Sequence, residues 1–279
     1  MVKLCAWSLG IFLLCSSPAY AQLISSYPQQ HVLQELVKAD VVYLGETHDS
    51  LKDHQAQIEI LQKLYQRQPK MVIALEMFQR PYQSVLDRYI IGELSEQELL
   101  EQSEYNQRWG FPWQYYAPIL QFAKQKQLPV LALNTPIEVT HKVAHAGLES
   151  LTLEERKFIP PFDEIRTDNA EYRQTLLRIF NQHEHAGHNS ASFERFFLAQ
   201  VLWDETMAEK IAQSLQTNPG HQVVVLAGRG HIAYSYGIPS RVARRLHKQQ
   251  LVQRSVLFST SKEVTTDGKP IADFIWEAF

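Results

Sequence analysis

The sequence predicts an α/β protein with a mainly parallel β-sheet flanked by helices and a smaller helical cap subdomain. Four short apolar runs are rich in β-branched residues and do not alternate with polar residues, which is typical of strands buried on both faces of a parallel sheet. These runs are Val41–Leu44, Met71–Leu75, Val130–Leu133 and Val223–Leu226. Amphipathic stretches separate them, so the chain alternates strand and helix as β-α-β units do.

The stretches between the strands carry helix signals. Residues 54–67 and 117–127 place apolar side chains at helical spacing. Pro136 suits the first turn of another helix, and Gly147 suits its end. The segment 254–258 is a fifth strand candidate. We therefore expect helical crossovers between the parallel strands.

Two intervals are too long for simple crossovers. They cover about residues 78–116 and 148–202, and both look helical. We expect them to be insertions that form the helical cap over one end of the sheet, within a single domain spanning 22–279. The capping-box pairs that would begin helices there are Ser95 with Glu98 and Thr152 with Glu155.

The N-terminus resembles an export signal. Lys3 is followed by a mostly apolar stretch at 4–14, and Ala19-Tyr20-Ala21 has the small-x-small pattern of a signal peptidase site. We expect cleavage after residue 21. An uncleaved anchor is one alternative. A lipoprotein acylated at Cys15 is another, although the residue before Cys15 is a large leucine.

Cleavage would remove both cysteines, Cys5 and Cys15, and leave 279 − 21 = 258 residues. The mature chain would then have no disulfide, no cysteine-ligated zinc and no covalent c-type haem site. Loss of Lys3 leaves 26 basic residues against 30 acidic ones, a formal charge of −4. This charge gives no indication of a nucleic-acid partner.

Polar residues follow the predicted strands at the point where each strand ends. Gly45-Glu46-Thr47-His48 follows the first strand, and Glu76 ends the second. Asn134 ends the third, and Gly228-Arg229-Gly230-His231 ends the fourth. Because ligands bind outside the carboxyl ends of parallel strands, we expect two Gly-x-x-His motifs and a glutamate to meet at one edge of the sheet.

These residue types support two kinds of chemistry. Imidazoles and carboxylates ligate divalent transition metals, so His48, Glu76 and His231 are candidate metal ligands. They are also general acids and bases, so Glu46, His48, Glu76, Arg229 and His231 are candidate catalytic residues. Burial would raise the pKa of Glu76 unless a cation or hydrogen bonds compensate, and Arg229 and a metal ion are the candidate partners. The glycine before each histidine is expected to allow a sharp turn out of the strand.

Five segments together resemble one known family. They are Val-Tyr-Leu-Gly-Glu-Thr-His at 42–48, Leu-Glu-Met-Phe at 75–78, Leu-Asn-Thr-Pro at 133–136, Gln-Val-Leu-Trp-Asp-Glu-Thr-Met-Ala at 200–208 and Ala-Gly-Arg-Gly-His at 227–231. The sequence is similar to the Tiki/TraB and erythromycin-esterase-like superfamily, and within it to the ChaN-like haem-binding uptake branch. The resemblance extends over roughly residues 33–250.

This resemblance implies a parallel α/β core with a smaller helical domain. It also implies haem as the cofactor, held between the subunits of a homodimer, in haem and iron acquisition by a Gram-negative cell. The expected location is the periplasm, with association with the outer membrane left open and outer-membrane haem transport components as candidate partners. In Tiki members the positions matching the Gly-x-x-His and Glu residues carry metalloprotease activity, which the haem branch need not keep.

The helical insertion at 148–202 offers candidate haem ligands. Haem bound without thioethers needs an axial His, Tyr or Met and a flat apolar slot. Tyr172 and His183 share one helical face with apolar residues, so they are the candidate cofactor-binding residues. The alternatives are a solvated loop for His183, His185 and His188, and a simple core role for aromatic residues at 105–116. His141 and His145 share a helical face that is more typical of solvated surface.

Three functions are compatible with these residues. The leading one is an exported haem-binding protein of haem and iron acquisition. The second is an exported metal-dependent hydrolase that uses the Glu and His residues at the strand ends. The third is a non-catalytic binding module in which those residues form a structural network.

Overall fold

The six strands in the described part of the chain form one parallel sheet. The computed structural model describes residues 28–183, 190–246, 250–258 and 268–277, with only the backbone at 182, 183, 190 and 191. The strand order is β3-β2-β4-β1-β5-β6, and every neighbouring pair is parallel. The strands are β1 (Val41–Glu46), β2 (Met71–Gln79), β3 (Val130–Asn134), β4 (Gln222–Gly228), β5 (Gln253–Phe258) and β6 (Phe274–Trp276).

The predicted α/β fold is confirmed, with two differences in the strands. Strands β1, β2 and β4 are buried at every residue, as expected for strands covered on both faces. Strand β2 does not end at Glu76 but continues to Gln79, and its pairing with β3 shifts register between Leu75 and Gln79. The short strand β6 was not predicted, because its three residues are too few to show a pattern.

Helices connect the strands and cover the sheet. The capping boxes predicted at Ser95 and Thr152 both form. Within the described part of the chain, no helix has the length and apolar character that crossing a bilayer requires. The helices are α1 (Gln29–Val37), α2 (Leu51–Tyr65), α3 (Gln83–Ile90), α4 (Glu96–Gln102), α5 (Tyr105–Arg108), α6 (Ala117–Lys126), α7 (Ile137–Ala146), α8 (Leu153–Arg156), α9 (Ala170–His183), α10 (Ser190–Thr217), α11 (Arg229–Ile232) and α12 (Ile238–Leu246).

The core is divided by the sheet into two apolar clusters. Successive residues of a strand point to opposite faces, so Leu44 belongs to one cluster and Tyr43 to the other. Apolar residues of the predicted insertion at 78–116 belong to the same cluster as Leu44. Those of the insertion at 148–202 belong to the same cluster as Tyr43, on the other face of the sheet. Both insertions are helical as expected, but the helical cap consists of two parts on opposite faces of the sheet.

Candidate functional site

The carboxyl ends of three neighbouring strands bring the predicted polar residues together. Strand β4 lies between β2 and β1, so the residues near the carboxyl ends of these three strands lie close together at one end of the sheet. Glu76 Oε1 lies 3.4 Å from His231 Nε2. The predicted proximity of these two side chains is therefore confirmed. Their catalytic roles stay predictions.

His231 is buried and lies between two carboxylates. Its Nδ1 lies 2.7 Å from Asp204 Oδ1, on the opposite side of the ring from Glu76. Burial alone would lower the pKa of His231, but the charge of Glu76 and the hydrogen bond with Asp204 raise it to about 10. The imidazole is therefore positively charged at neutral pH, with Nδ1 hydrogen-bonded to Asp204 and Nε2 in an ion pair with Glu76.

Glu76 is ionised in spite of its burial. Burial would raise its pKa, but the neighbouring His231, then His48 and the backbone N–H of Gly228, lower it to about 2. That N–H donates to Glu76 Oε2 at 2.6 Å. The expectation that a cation or hydrogen bonds compensate Glu76 is confirmed, and among the described side chains that cation is His231 and not Arg229. Arg229 instead lines a neighbouring pocket.

Glu46 is fully buried at the end of β1 and holds the second histidine. Its carboxylate accepts hydrogen bonds from the Tyr116 hydroxyl at 2.6 Å and the Gln57 amide at 2.7 Å. The same carboxylate lies 2.9 Å from His48 Nδ1, and its other oxygen lies 3.6 Å from His54 Nδ1. This network fixes the orientation of His48 through Nδ1 and leaves its Nε2 toward the middle of the site.

His48 is the more accessible of the two motif histidines. Its side chain is 27% exposed and packs against Trp109, with ring centroids 5.0 Å apart, and against Phe111, with ring centroids 4.8 Å apart. Burial alone would lower its pKa, but the hydrogen bond with Glu46 and the charge of Glu76 raise it above 6.5. A histidine that is half-buried, oriented and open to solvent on one side can exchange a proton with a bound molecule.

The two motif glycines are required for space and not for a turn. Gly45 lies within β1, and Gly228 has φ −56° and ψ 141°, a conformation that any residue can adopt. A Cβ atom at Gly228 would lie 2.6 Å from His48 Nε2, and one at Gly45 would lie 2.2 Å from Leu257 Cδ2. The expected sharp turn is therefore wrong, and close packing is the reason for glycine.

Tyr172 belongs to the same network as His231. Its buried hydroxyl donates to Asp204 Oδ2 at 2.5 Å, and the guanidinium of Arg241 lies 5.1 Å from the centre of its ring. In this conformation the hydroxyl is hydrogen-bonded to Asp204, so its oxygen is not free to ligate iron. Its ring also lines a pocket, so a contact between Tyr172 and a cofactor stays a prediction.

The other candidates do not join the site. Asn134 Oδ1 accepts a hydrogen bond from the N–H of the next residue, and His145 Nδ1 lies 2.7 Å from the carbonyl oxygen of His141. The aromatic segment at 105–116 contributes to the core, although Trp109 and Phe111 reach His48. The predicted signal peptide, His185, His188 and the side chain of His183 lie outside the described residues.

The most important residue that the sequence did not indicate is Asp204. It lies in the middle of α10 and is fully buried between His231 and Tyr172. Its only signal was its place within the segment 200–208, which carried the family resemblance. Gln57 and Tyr116, which bind Glu46, had no signal beyond helical or aromatic patterning.

Comparison with known families identifies the chain. The haem-binding uptake family of the Tiki superfamily, named after ChaN, matches residues 32–242. The chain belongs to this family. The matched range contains both Gly-x-x-His motifs, Glu76 and Asp204.

Solved structures support the same fold. The ChaN-like chain resembles ChaN of Campylobacter jejuni, described as binding haem cofacially, with a TM-score of 0.69 and 21% identity over 88% of this chain and 90% of that one. It also resembles an erythromycin esterase in an open conformation, with a TM-score of 0.50 and 16% identity over 87% of this chain and 77% of that one. At such low identity these similarities show a shared fold.

The chain is also similar in sequence to a plant protein. The chain is 27% identical over 266 residues to the protein RETICULATA-RELATED 5, chloroplastic, of Arabidopsis thaliana. The match covers 89% of this chain and 35% of the plant protein, so the chain spans about a third of the length of this relative.

The donor set at the strand ends does not favour a metal ion. Within the described ranges, no group of three or more His, Cys, Asp or Glu side chains is arranged to hold one. Both ring nitrogens of His231 face carboxylates, and His48 Nδ1 lies against Glu46. The predicted metal ligands His48, Glu76 and His231 therefore pair with carboxylates and backbone, or with each other.

A pocket suited to a haem group lies beside the strand-end site of this ChaN-like protein. It has a volume of about 510 Å³ and is lined by α9 and by the segment around α11. Leu176, Ile179 and Ile271 give it apolar surface, and Arg178 and Arg229 add positive charge. Haem combines an apolar macrocycle with carboxylates, so the apolar side chains and the two arginines fit these two parts of the group.

Proposed function

We propose that this protein binds haem as a step in haem and iron acquisition. Membership of the haem-binding uptake family over residues 32–242 carries the proposal. The apolar pocket with its two arginines agrees with it. When bound, haem would supply the iron cargo, and the protein would supply an apolar surface that shields the macrocycle from water.

We further propose that haem is held by a homodimer. The C. jejuni relative is described as binding haem cofacially, which means with ring planes facing each other. Two chains that each hold one haem can reach such an arrangement by associating. Light scattering after gel filtration should show a dimer on addition of hemin, and a monomer at every hemin concentration would contradict this part.

The proposed location is the periplasm, with outer-membrane haem transport components as partners. Ala19-Tyr20-Ala21 supports export, and N-terminal sequencing of the protein from a periplasmic extract should begin at Gln22. A mature product that begins at an acylated Cys15 would indicate a lipoprotein instead. A product found only in the cytoplasm would contradict export.

Titration of the purified protein with hemin tests the haem function directly. The expected result is a saturable Soret band distinct from that of free hemin. His183→Ala tests the remaining sequence-based ligand candidate against His141→Ala, a matched control on another helix. Absence of a saturable band in the wild-type protein would refute haem binding.

A second candidate function is hydrolysis by acid–base chemistry. The observation that favours it is the half-exposed His48, oriented by the buried Glu46 and adjacent to the charged pair Glu76 and His231. His48 would transfer a proton at Nε2 to or from the substrate, while Glu46 holds Nδ1.

A panel of ester and peptide substrates tests this candidate. We expect His48→Gln to reduce turnover at least 100-fold, which is the usual contribution of a general acid or base. His145→Gln, which changes an exposed histidine of α7, is the control. If His48→Gln did not change the turnover, this candidate would be refuted. Loss of turnover on addition of a chelator would instead support a metal-dependent hydrolase.

A further inference from the structure

The pocket beside the site combines two kinds of apolar surface. Leu176 and Ile179 project from α9, and Tyr234 and Tyr236 come from the segment that follows α11. The two tyrosine rings pack against each other, with centroids 5.6 Å apart and planes inclined at 34°. Apolar and aromatic side chains of this kind bury the faces of a flat hydrophobic ligand.

The backbone that presents the tyrosines is strained. Tyr234 and Ser235 have φ angles of 56° and 58°, in the left-handed region that non-glycine residues seldom adopt. The N–H of Tyr234 donates to the carbonyl oxygen of Ile271, another pocket residue, at 2.7 Å. Strain of this kind persists where the surroundings impose it, and it concentrates at ligand sites.

Positive charge borders this apolar surface. Arg178 is exposed on α9, and Arg229 is half-buried at the start of α11. Arg178 donates to the Thr175 hydroxyl at 3.3 Å, and no acidic side chain lines the pocket among the described residues. The Lys269 ammonium, 4.3 Å from the centre of the Tyr236 ring, adds a third cation nearby. The pocket therefore attracts anions at the edge of an apolar surface.

We propose that this pocket seats a flat apolar ligand that carries two carboxylates, and that Arg178 and Arg229 bind those carboxylates. Haem, with its two propionates, has this chemistry, so the assignment rests on the proposed haem function and adds to it a place and an orientation. Arginine suits the task because its planar guanidinium donates paired N–H groups to a carboxylate. The macrocycle would then lie against Leu176, Ile179 and the tyrosines.

The double variant Arg178→Gln/Arg229→Gln tests the proposal. Its Kd for hemin, measured from the Soret band, should rise about tenfold or more, because charge-assisted hydrogen bonds are lost. Arg195→Gln is the matched control, since Arg195 is exposed on α10 and does not line the pocket. Equal urea midpoints for the three proteins would show that the substitutions leave the fold intact.

Hemin dimethyl ester, which lacks free carboxylates, completes the test. In one detergent solution, the wild-type protein should bind the ester about tenfold more weakly than hemin. The double variant should bind the two ligands equally, because the interaction between arginine and carboxylate is already lost. If esterification weakened binding to both proteins by the same factor, Arg178 and Arg229 would not bind the carboxylates and the proposal would be overturned.

Metal-free protoporphyrin IX, followed by fluorescence, separates this proposal from the haem function. Binding of protoporphyrin IX that depends on the two arginines, without hemin binding, would support the pocket and refute the haem function. Hemin binding that is unchanged in the double variant would support the haem function and refute the pocket. Binding of neither ligand by the wild-type protein would refute both.

Discussion

The two Gly-x-x-His motifs have the same spacing but different surroundings. In the first motif the carboxylate that holds the histidine is Glu46, two residues before His48. In the second it is Asp204, which comes from α10 and lies 27 residues before His231. The His48 side chain is 27% exposed, whereas the His231 side chain is 9% exposed.

This difference separates two roles. His231 is charged and buried between two carboxylates. It therefore links the carboxyl end of the sheet to Asp204 of α10, and it balances the negative charge of Glu76. His48 is oriented by a local partner and reaches solvent, so it is the histidine that can contact a bound molecule. A motif in the sequence therefore indicates where a histidine lies, and its partners determine what the histidine does.

The largest expected effect comes from Asp204→Asn. This change leaves the charged His231 without one of its carboxylates and places an amide beside the Tyr172 hydroxyl and the Arg241 guanidinium. Breaking a buried ion pair in this way should lower the free energy of unfolding by about 3–5 kcal/mol, measured by urea denaturation. Glu149→Gln, at an exposed surface ion pair with Arg156, should change it by less than about 1 kcal/mol. Similar losses for the two variants would contradict the structural role of Asp204.

The pH dependence of the free energy of unfolding should also reflect the raised pKa of His231. Because its folded pKa is raised from 6.5 to about 10, its stabilising contribution is complete below pH 6.5 and is lost as the pH rises to about 10. Glu76, lowered from 4.5 to about 2, contributes fully above pH 4.5 and loses its contribution as the pH falls toward 2. The pair therefore stabilises the fold most between about pH 4.5 and 6.5.

His231→Gln should remove the alkaline part of this dependence. Urea unfolding at a series of pH values would show a smaller change between pH 6.5 and 10 than in the wild-type protein. His145→Gln, at an exposed histidine, should keep the wild-type slope. A wild-type slope in His231→Gln would mean that another group is responsible.

The two motif glycines should respond differently to alanine. Gly45→Ala places a methyl group 2.2 Å from Leu257 Cδ2, which is fully buried, so overpacking should cost about 1–3 kcal/mol in urea denaturation. Gly228→Ala places one 2.6 Å from Nε2 of the partly exposed His48, which has more room to shift than the fully buried Leu257, so the cost should be smaller than at Gly45. Gly110→Ala, with no atom within 4 Å of the new methyl group, is the neutral control. Equal costs at the two motif glycines would contradict the difference in their surroundings.

The smallest expected effect is a change in the pKa of His48. Glu46→Gln removes the charged hydrogen-bond partner that raises this pKa, while the burial that lowers it remains. Histidine NMR signals followed against pH should therefore show a lower pKa for His48 in the variant. An unchanged pKa would mean that Glu46 does not control the charge of this histidine.

Much of the fold could be predicted because strand burial is visible in sequence. Runs such as Val41–Leu44 and Val223–Leu226 are apolar at every position, and they do form the central parallel strands. The extension of β2 to Gln79 and the edge strand β6 could not be predicted, because they depend on neighbours in the sheet and not on a periodic pattern. The division of the cap between two faces likewise depends on how each insertion packs.

The sequence by itself determined that Glu46, His48, Glu76 and His231 meet at one edge. Parallel strands point the same way, so residues that follow them share an edge whatever the side chains do next. Only the tertiary structure decided which carboxylate each histidine contacts and which histidine reaches solvent. The surroundings of His231 depend on how α9 and α10 pack, because that packing places Asp204 of α10 between His231 and Tyr172 of α9. The contacts of Asp204 join residues that lie 27 and 32 positions apart in the chain, so no local spacing encodes them.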